Sequence, residues 1–220
     1  KLQEYTSDYG SGTHRFTEEK TKKGKNLSIG PRVNLDQERC VLCRRCVRFM
    51  KEIVGEDVLG VVGRGTHNAI ACYPGASLDS NYSMNVVDIC PVGAMTSKDF
   101  RFKMRVWFLK STPTIDVNCG TGTNINIWTR EQQVYRITPR QNDAVNSCWM
   151  PDDHRLNYKF INAPTRITTP LVKTDAGADQ RPSTWDATLG MVVEQLHRMA
   201  PSETALICSA RMTNEELYMV

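Results

Sequence analysis

An α+β chain is predicted, built from a cysteine-organised module, a small β-rich region and the opening of an α/β domain. Three observations carry that prediction. Cys40, Cys43 and Cys46 stand at C-x2-C-x2-C spacing, and a lone Cys90 followed by Pro91 lies far downstream. Residues 124–128 and 133–137 are short strand-type runs that flank a turn at 129–132. Thr184 then precedes a stretch in which Leu189, Val192, Val193, Leu196 and Met199 fall on one helical face. A short apolar run of strand type at 205–208 and a Thr213/Glu216 capping box follow it, and helix, strand, loop, helix is how an α/β domain opens.

The cysteine pattern resembles a bacterial-type 4Fe-4S ferredoxin, where thiolates hold a cubane cluster. A two-cluster ferredoxin repeats C-x2-C-x2-C-x3-C-P twice, and three Cys of one repeat share a cluster with the last Cys of the other. Extending the first repeat here reaches Met50, and reading backward from Cys90 reaches Val86, Ser83 and Ser80. The survivors Cys40, Cys43, Cys46 and Cys90 are therefore the whole ligand set of one cluster, and the lost positions are the whole set of the other. One 4Fe-4S cluster is expected. The alternative is a structural zinc site on the same four thiolates. Zinc sites usually show two C-x2-4-C pairs on separate knuckles, and a triad with a remote Cys-Pro fits that poorly. A disulfide framework fits so tight a triad less well than a metal does.

The 220 residues suffice for one or two domains. A net charge of +4 and a pI of about 8.6 are too mild to argue for nucleic acid or a membrane surface. No stretch approaches the eighteen apolar residues of a membrane span, and no signal peptide opens the chain. Both ends, at Lys1 and Val220, read as cut from a longer polypeptide. Thiolate-type cysteines suit a reducing compartment, the cytoplasm.

Residues 1–32 read as a polar lead-in, with a helical start at Leu2–Tyr9 and a solvated basic run at 20–25. Residues 33–110 form the cluster module. There Asp36 leads into the ligand loop, and residues 47–54 form a short helix ending near Gly55. Residues 58–62 are a strand, and 63–85 a turn-rich loop. A second short helix is expected to start after Pro91, at 92–95. Val41, Leu42, Val47, Ile89 and Val92 supply apolar cover. Cys72 reads as a small apolar residue and His67 as polar surface. Arg44, Arg45 and Arg48 either offset the cluster's negative charge or are plain surface charges and salt-bridge partners. Residues 102–109 read as a strand or linker. Residues 111–165 are the β-rich region, and 166–220 the start of the α/β domain.

Beyond the cysteines, the runs Asn85-Val86-Val87-Asp88-Ile89-Cys90-Pro91-Val92-Gly93-Ala94, Thr96-Ser97-Lys98-Asp99-Phe100-Arg101-Phe102 and Arg105-Val106-Trp107 resemble the large iron–sulfur subunits of NADH-quinone oxidoreductase, the respiratory complex I. That resemblance runs along nearly the whole chain. It implies an electron relay rather than a substrate site: electrons pass from NADH through flavin on a partner subunit, along iron–sulfur clusters, to quinone. It implies cofactor-binding, metal-ligating roles for Cys40, Cys43, Cys46 and Cys90, and no catalytic residue in the strict sense. Lys1-Leu2-Gln3 resembles residues that follow an upstream cluster. A further 4Fe-4S and a 2Fe-2S cluster are thus expected before Lys1, and His14 is not one of their ligands.

Implied partners are the flavin/NADH-binding subunit and the quinone-side iron–sulfur subunits, with no nucleic acid, and membrane association only through the complex. The implied location is the cytoplasmic side of a bacterial inner membrane, in the peripheral arm. From Thr114 onward the chain resembles the amino-terminal part of molybdopterin oxidoreductases, shared with formate dehydrogenases. Their additional cluster aligns on Asp116, Cys119, Thr123 and a position near Pro151. One Cys of four remains, so Cys119 and the nearby Cys148 are expected to be relics or packing residues. No molybdenum is expected. The alternatives are the iron–sulfur/pterin subunit of a NAD-linked formate dehydrogenase or hydrogenase, and a zinc-stabilised interaction module.

Overall fold

Val33 and Leu35 are fully buried and Asn34 between them is half-exposed, the alternation a strand imposes when one face meets a core. This strand is the spine of the first of two compact units, Lys1–Asp99 and Phe100–Val220, in a computed structural model that describes residues 2–173 and 179–219. Lys1 and Val220, the two ends read as cut, lie outside the described residues.

The first unit opens with an exposed helix, α1 (Leu2–Tyr9), as expected. Strands β1 (Leu27–Ser28) and β2 (Val33–Leu35) follow. After them come helix α2 (Arg45–Arg48) and a wider π turn, Phe49–Val54, which Gly55 ends at φ 82°. Strands β3 (Leu59–Val62) and β4 (Ala69–Cys72) pair as an antiparallel hairpin, Leu59 opposite Cys72. Helix α3 (Asn85–Ile89) and strand β5 (Met95–Ser97) complete the unit. The sheet order is β1-β2-β5, antiparallel, with Leu35 opposite Met95 and Val33 opposite Ser97. The core holds Val33, Leu35, Phe49, Met50, Leu59, Ile70, Leu78, Met84, Val86, Ala94 and Met95. Gly30 allows a close backbone approach, since a Cβ there would stand 2.0 Å from the Leu78 carbonyl oxygen.

Two expectations for this unit are corrected. The stretch 63–85 is not only loop, because residues 69–72 add a strand beside β3 that closes over buried Leu59 and Ile70. The second short helix does not start after Pro91. It precedes Cys90, as α3, because Asn85 and Val86 face the interior; the chain then runs extended at Cys90, and 95–97 is strand.

The second unit is built on strands β6 (Lys110–Ile115), β7 (Asn124–Arg130) and β8 (Gln133–Pro139), antiparallel in that order. The expected turn is present: Glu131 and Gln132 sit at φ 50° and 64°, the doubly left-handed geometry of a tight hairpin. A 3-10 turn, Val106–Phe108, precedes β6. Helix α4 (Asp152–Leu156) lies over the sheet, and Ile125, Ile137, Met150 and Tyr158 form the core. The Tyr158 hydroxyl donates to the Tyr135 carbonyl at 2.7 Å, so the ring is buried without an orphaned polar atom.

A small pair, β9 (Leu171–Val172) and β10 (Arg181–Pro182), leads to α5 (Trp185–Arg198). Thr184 caps α5 as expected, its hydroxyl accepting from the Ala187 N–H at 3.3 Å. The Thr213/Glu216 capping box begins α6 (Asn214–Tyr218). The expected strand at 205–208 is absent: Leu206 and Ile207 are 63% and 98% exposed, and no neighbouring strand takes their backbone among the described residues.

Candidate metal centre

The four cysteines of the first unit are set by two segments that β2 and β5 hold together. β2 ends one residue before Asp36, and β5 begins four residues after Pro91. The Asp36 N–H donates to the Ala94 carbonyl at 2.8 Å, joining the segments at the site. The Asp36 carboxylate is buried and turns the chain: Oδ1 accepts the N–H groups of Glu38 (3.0 Å) and Arg39 (3.3 Å), and Oδ2 pairs with Arg39 Nε at 3.3 Å. An Asp that caps its own downstream amides makes an abrupt turn of this kind.

The loop that follows is bent at two non-glycine residues, Leu42 (φ 53°) and Arg44 (φ 61°), on either side of Cys43. Such left-handed residues are costly and cluster where a site dictates the backbone. Among the described residues, no backbone oxygen receives an N–H from the run Cys40 to Val47, and the Val47 amide points to the Cys46 sulfur. Donors left free in this way are what cluster sulfurs accept from.

Cys46 is buried at the start of α2, Cys40 and Cys90 are half-buried, and Cys43 is exposed. Burial is the main cause that pushes the Cys46 thiol up to about 11; Cys40, Cys43 and Cys90 push the same way, and only the Val47 amide opposes. Cys40, Cys43 and Cys90 thus lie within electrostatic reach of Cys46. The Cys90 N–H completes α3 by donating to Val86 at 3.2 Å, and its thiol donates to the Val92 carbonyl at 2.8 Å. Among the described residues, no three His, Cys, Asp or Glu side chains close upon a single metal ion. Soft thiolates, free amides and a buried sulfur that needs a cation in place of its proton suit an iron–sulfur cluster.

The complementary positions Met50, Ser83 and Val86 are wholly buried and Ser80 is half-buried, so protein packing occupies them. In the second unit, the positions aligned with an additional cluster form a polar network. Asp116 is buried and binds His154 Nδ1 at 2.9 Å. Cys119 meets the hydroxyls of Thr121 and Thr123 at 2.9 and 3.1 Å. Burial alone would raise the Cys119 thiol, but those hydroxyls and the amides of the same two threonines donate to the sulfur and bring it down to about 6. Pro151 precedes α4, and Cys148 is exposed. Of the loop arginines, Arg48 pairs with Glu52 at 3.1 Å and Arg39 with Asp36, while Arg44 and Arg45 are exposed. His154 went unread in the sequence, where nothing marks a histidine that reaches back to residue 116.

Two short segments, joined by a strand pair, bring Cys40, Cys43 and Cys90 within electrostatic reach of Cys46, an arrangement that suits the ferredoxin-like class of iron–sulfur modules. Residues 30–96 match the family described as NADH-quinone oxidoreductase subunit 3, ferredoxin-like domain, and residues 109–159 match NADH-ubiquinone oxidoreductase NDSU1/NuoG-like, 4Fe-4S domain. The chain is 39% identical over 219 residues to the mitochondrial NADH-ubiquinone oxidoreductase 78 kDa subunit of Candida albicans, covering 98% of this chain and 30% of that one. It is 34% identical to the corresponding NADH-quinone oxidoreductase subunit of Rickettsia felis, covering 100% of this chain and 32% of the relative. It is 40% identical to the mitochondrial NADH dehydrogenase [ubiquinone] iron-sulfur protein 1 of Solanum tuberosum, over 92% and 27%. The chain belongs to the family of large iron–sulfur subunits of NADH-quinone oxidoreductase. It spans about 30% of the length of those relatives. A solved NAD+-reducing [NiFe]-hydrogenase is 27% identical over 48% of this chain and 46% of that chain, with a TM-score of 0.36.

Proposed function

We propose that this chain carries one relay station of NADH:quinone oxidoreductase, a 4Fe-4S cluster held by Cys40, Cys43, Cys46 and Cys90. The observation that carries it is the convergence of a buried, proton-holding Cys46 with Cys40, Cys43 and Cys90 beside a run of amides without backbone acceptors. When bound, such a group supplies a one-electron change spread over several irons. The chain's own part is to supply thiolates, to bury Cys46, to leave the N–H groups of the 40–47 loop without backbone acceptors and to hold both segments together through β2, β5 and Asp36. No acid, base or nucleophile is required of it.

In this reading electrons come from NADH by way of a flavin-binding partner subunit and leave toward quinone through further iron–sulfur subunits. The station sits in the peripheral arm, on the cytoplasmic side in a bacterium. Among the described residues no helix is long and apolar enough to cross a membrane. Further 4Fe-4S and 2Fe-2S clusters belong upstream of Lys1, no cluster sits at Asp116, Cys119, Thr123 and Pro151, and residues 166–220 begin a molybdopterin-type domain without molybdenum. The family supports this over a formate dehydrogenase, hydrogenase or zinc-module reading.

Iron and acid-labile sulfide are to be counted after anaerobic purification, with an EPR spectrum of the reduced chain. About four irons per chain are expected. Cys43→Ala is expected to lose them, while Cys72→Ala and Cys119→Ala keep them. Stoichiometric zinc with no iron would sink the proposal, and so would full iron in Cys43→Ala.

A further inference from the structure

Among the described residues the amides of the 40–47 loop find no backbone acceptor, so the loop must be held where it joins the rest of the unit. The Asp36 carboxylate bonds within its own turn, to Glu38 and Arg39. Gln37, beside it, reaches outward. Its side-chain oxygen accepts the Gly24 N–H at 3.2 Å, and its Nε2 donates to the Ile70 carbonyl at 3.3 Å. Its own N–H donates to the Gly24 carbonyl at 2.9 Å. One half-buried side chain thus ties the root of the loop to segments 13 and 33 positions away. Two further bonds close the same clamp: Lys23 Nζ donates to the Asn68 carbonyl at 2.7 Å, and Lys25 pairs with Glu38 at 2.6 Å. The strap 23–25 is therefore fixed both to 37–38 and to residues 68–70. Cys40 stands three residues on, and with Lys23, Gln37 and Glu38 it lines a groove of about 720 Å³.

We propose that Gln37 is a positioning residue for the cluster: through Gly24 and Ile70 it sets the place of Cys40 and limits the access of water on that side of the site. The proposal rests on the cluster assignment above and adds a residue that acts through a ligand without touching the metal. Two arguments select Gln37. The side-chain amide is used at both ends, as acceptor and as donor, and a residue lacking either function loses one arm of the clamp. Both partners are main-chain groups of other segments, so the bonds fix the loop root against its surroundings and not merely against itself. A thiolate that shifts against its fellows alters the geometry at its iron. Hydrogen bonding and solvent exposure around the ligands tune such a centre in the same way.

The test follows the intact chain, loaded with its cluster and compared at equal iron content, by two readouts. One is the rate of iron release to excess bathophenanthroline disulfonate under anaerobic, reducing conditions, and the other is the EPR spectrum of the reduced cluster. Gln37→Ala removes both side-chain bonds and is expected to release iron about tenfold faster, the scale that two ordinary hydrogen bonds set, and to shift the g values. Gln37→Glu keeps the acceptor for Gly24 but sets a carboxylate against the Ile70 carbonyl, and should fall between. Lys98→Ala is the matched control. Lys98 Nζ donates to Ser28 Oγ and to the Gly30 carbonyl, at 2.7 Å each, two bonds in the same unit that do not reach the ligand loop. Its release rate and g values should stay near those of the unsubstituted chain, whereas a merely structural role for Gln37 would move the two alanine variants alike. Equal release rates in Gln37→Ala and Lys98→Ala, or unchanged g values in both Gln37 variants, would overturn the positioning role and leave the cluster assignment standing. If Gln37→Ala does not fold, Gln37→Glu set against Lys98→Ala decides on the same terms. An unsubstituted chain that takes up no iron–sulfur cluster would overturn both.

Discussion

Cys46 and Cys119 are the same residue type in regions aligned with cluster-binding families, and the structure drives them in opposite directions. Burial and three neighbouring thiols push Cys46 up to about 11, so as a bare thiol it keeps its proton. Two threonine hydroxyls and two amides bring Cys119 down to about 6, so it holds a negative charge unaided. In the proposed reading the contrast separates a cluster ligand from a thiol that is not one. Among the described residues no hydroxyl meets the Cys46 sulfur, whereas two meet that of Cys119. Around Cys119 the polar groups are mutually engaged: Asp116 binds His154 and Thr123 meets the sulfur.

The largest expected effect that would break this comparison is on metal content. Cys46→Ser should lose essentially all iron by colorimetric assay, since a buried hydroxyl is a poor iron ligand, while Cys119→Ser should lose none. Next comes packing at the filled half of the first unit. Met50→Ala removes a wholly buried side chain and should cost about 2–5 kcal/mol, read from the urea midpoint. A smaller effect sharpens the other arm. Thr123→Val removes a hydroxyl donor, so the Cys119 value should rise from about 6 toward the ordinary thiol value of 9.0; the pH at which iodoacetamide labelling is half-maximal should rise with it.

The smallest is a stability slope. The folded value of Cys119 lies below its unfolded one, so its contribution is fully present above pH 9 and is lost as pH falls through about 6. The gap in urea midpoint between the unsubstituted chain and Cys119→Ala should therefore widen from pH 6 to pH 9. A gap that narrows instead would show that the thiol is not held as an anion.

The grouping of the four cysteines was legible from spacing alone, and the structure brings Cys40, Cys43 and Cys90 within electrostatic reach of Cys46. Cys40, Cys43, Cys46 and Cys90 needed no knowledge of the fold to be grouped. The caps at Thr184 and Thr213 were also legible, being local bonds between a side chain and amides three residues on. What the sequence hid was non-local. β2 is three residues long and gains its meaning only from residues 95–97, which no local pattern announces. α3 was displaced to the wrong side of Pro91 because its inward residues, Asn85 and Val86, include a polar one. The strand expected at 205–208 failed for the converse reason: an apolar run says strand only where another strand accepts it. His154 was unreadable because its partner lies 38 positions earlier.

The β2–β5 pairing also bears on how the holoprotein assembles. Bringing Leu35 and Met95 together closes about sixty residues of chain, with a length-dependent entropic cost of roughly 4 kcal/mol. Because the strands and the Asp36–Ala94 bond meet that cost in the polypeptide itself, the nascent inorganic core need not gather a distant cysteine from a coil. In the proposed cluster reading, Cys90 then meets the local triad as part of one folded unit. Uptake of the proposed cluster should therefore follow the folding of β2 against β5.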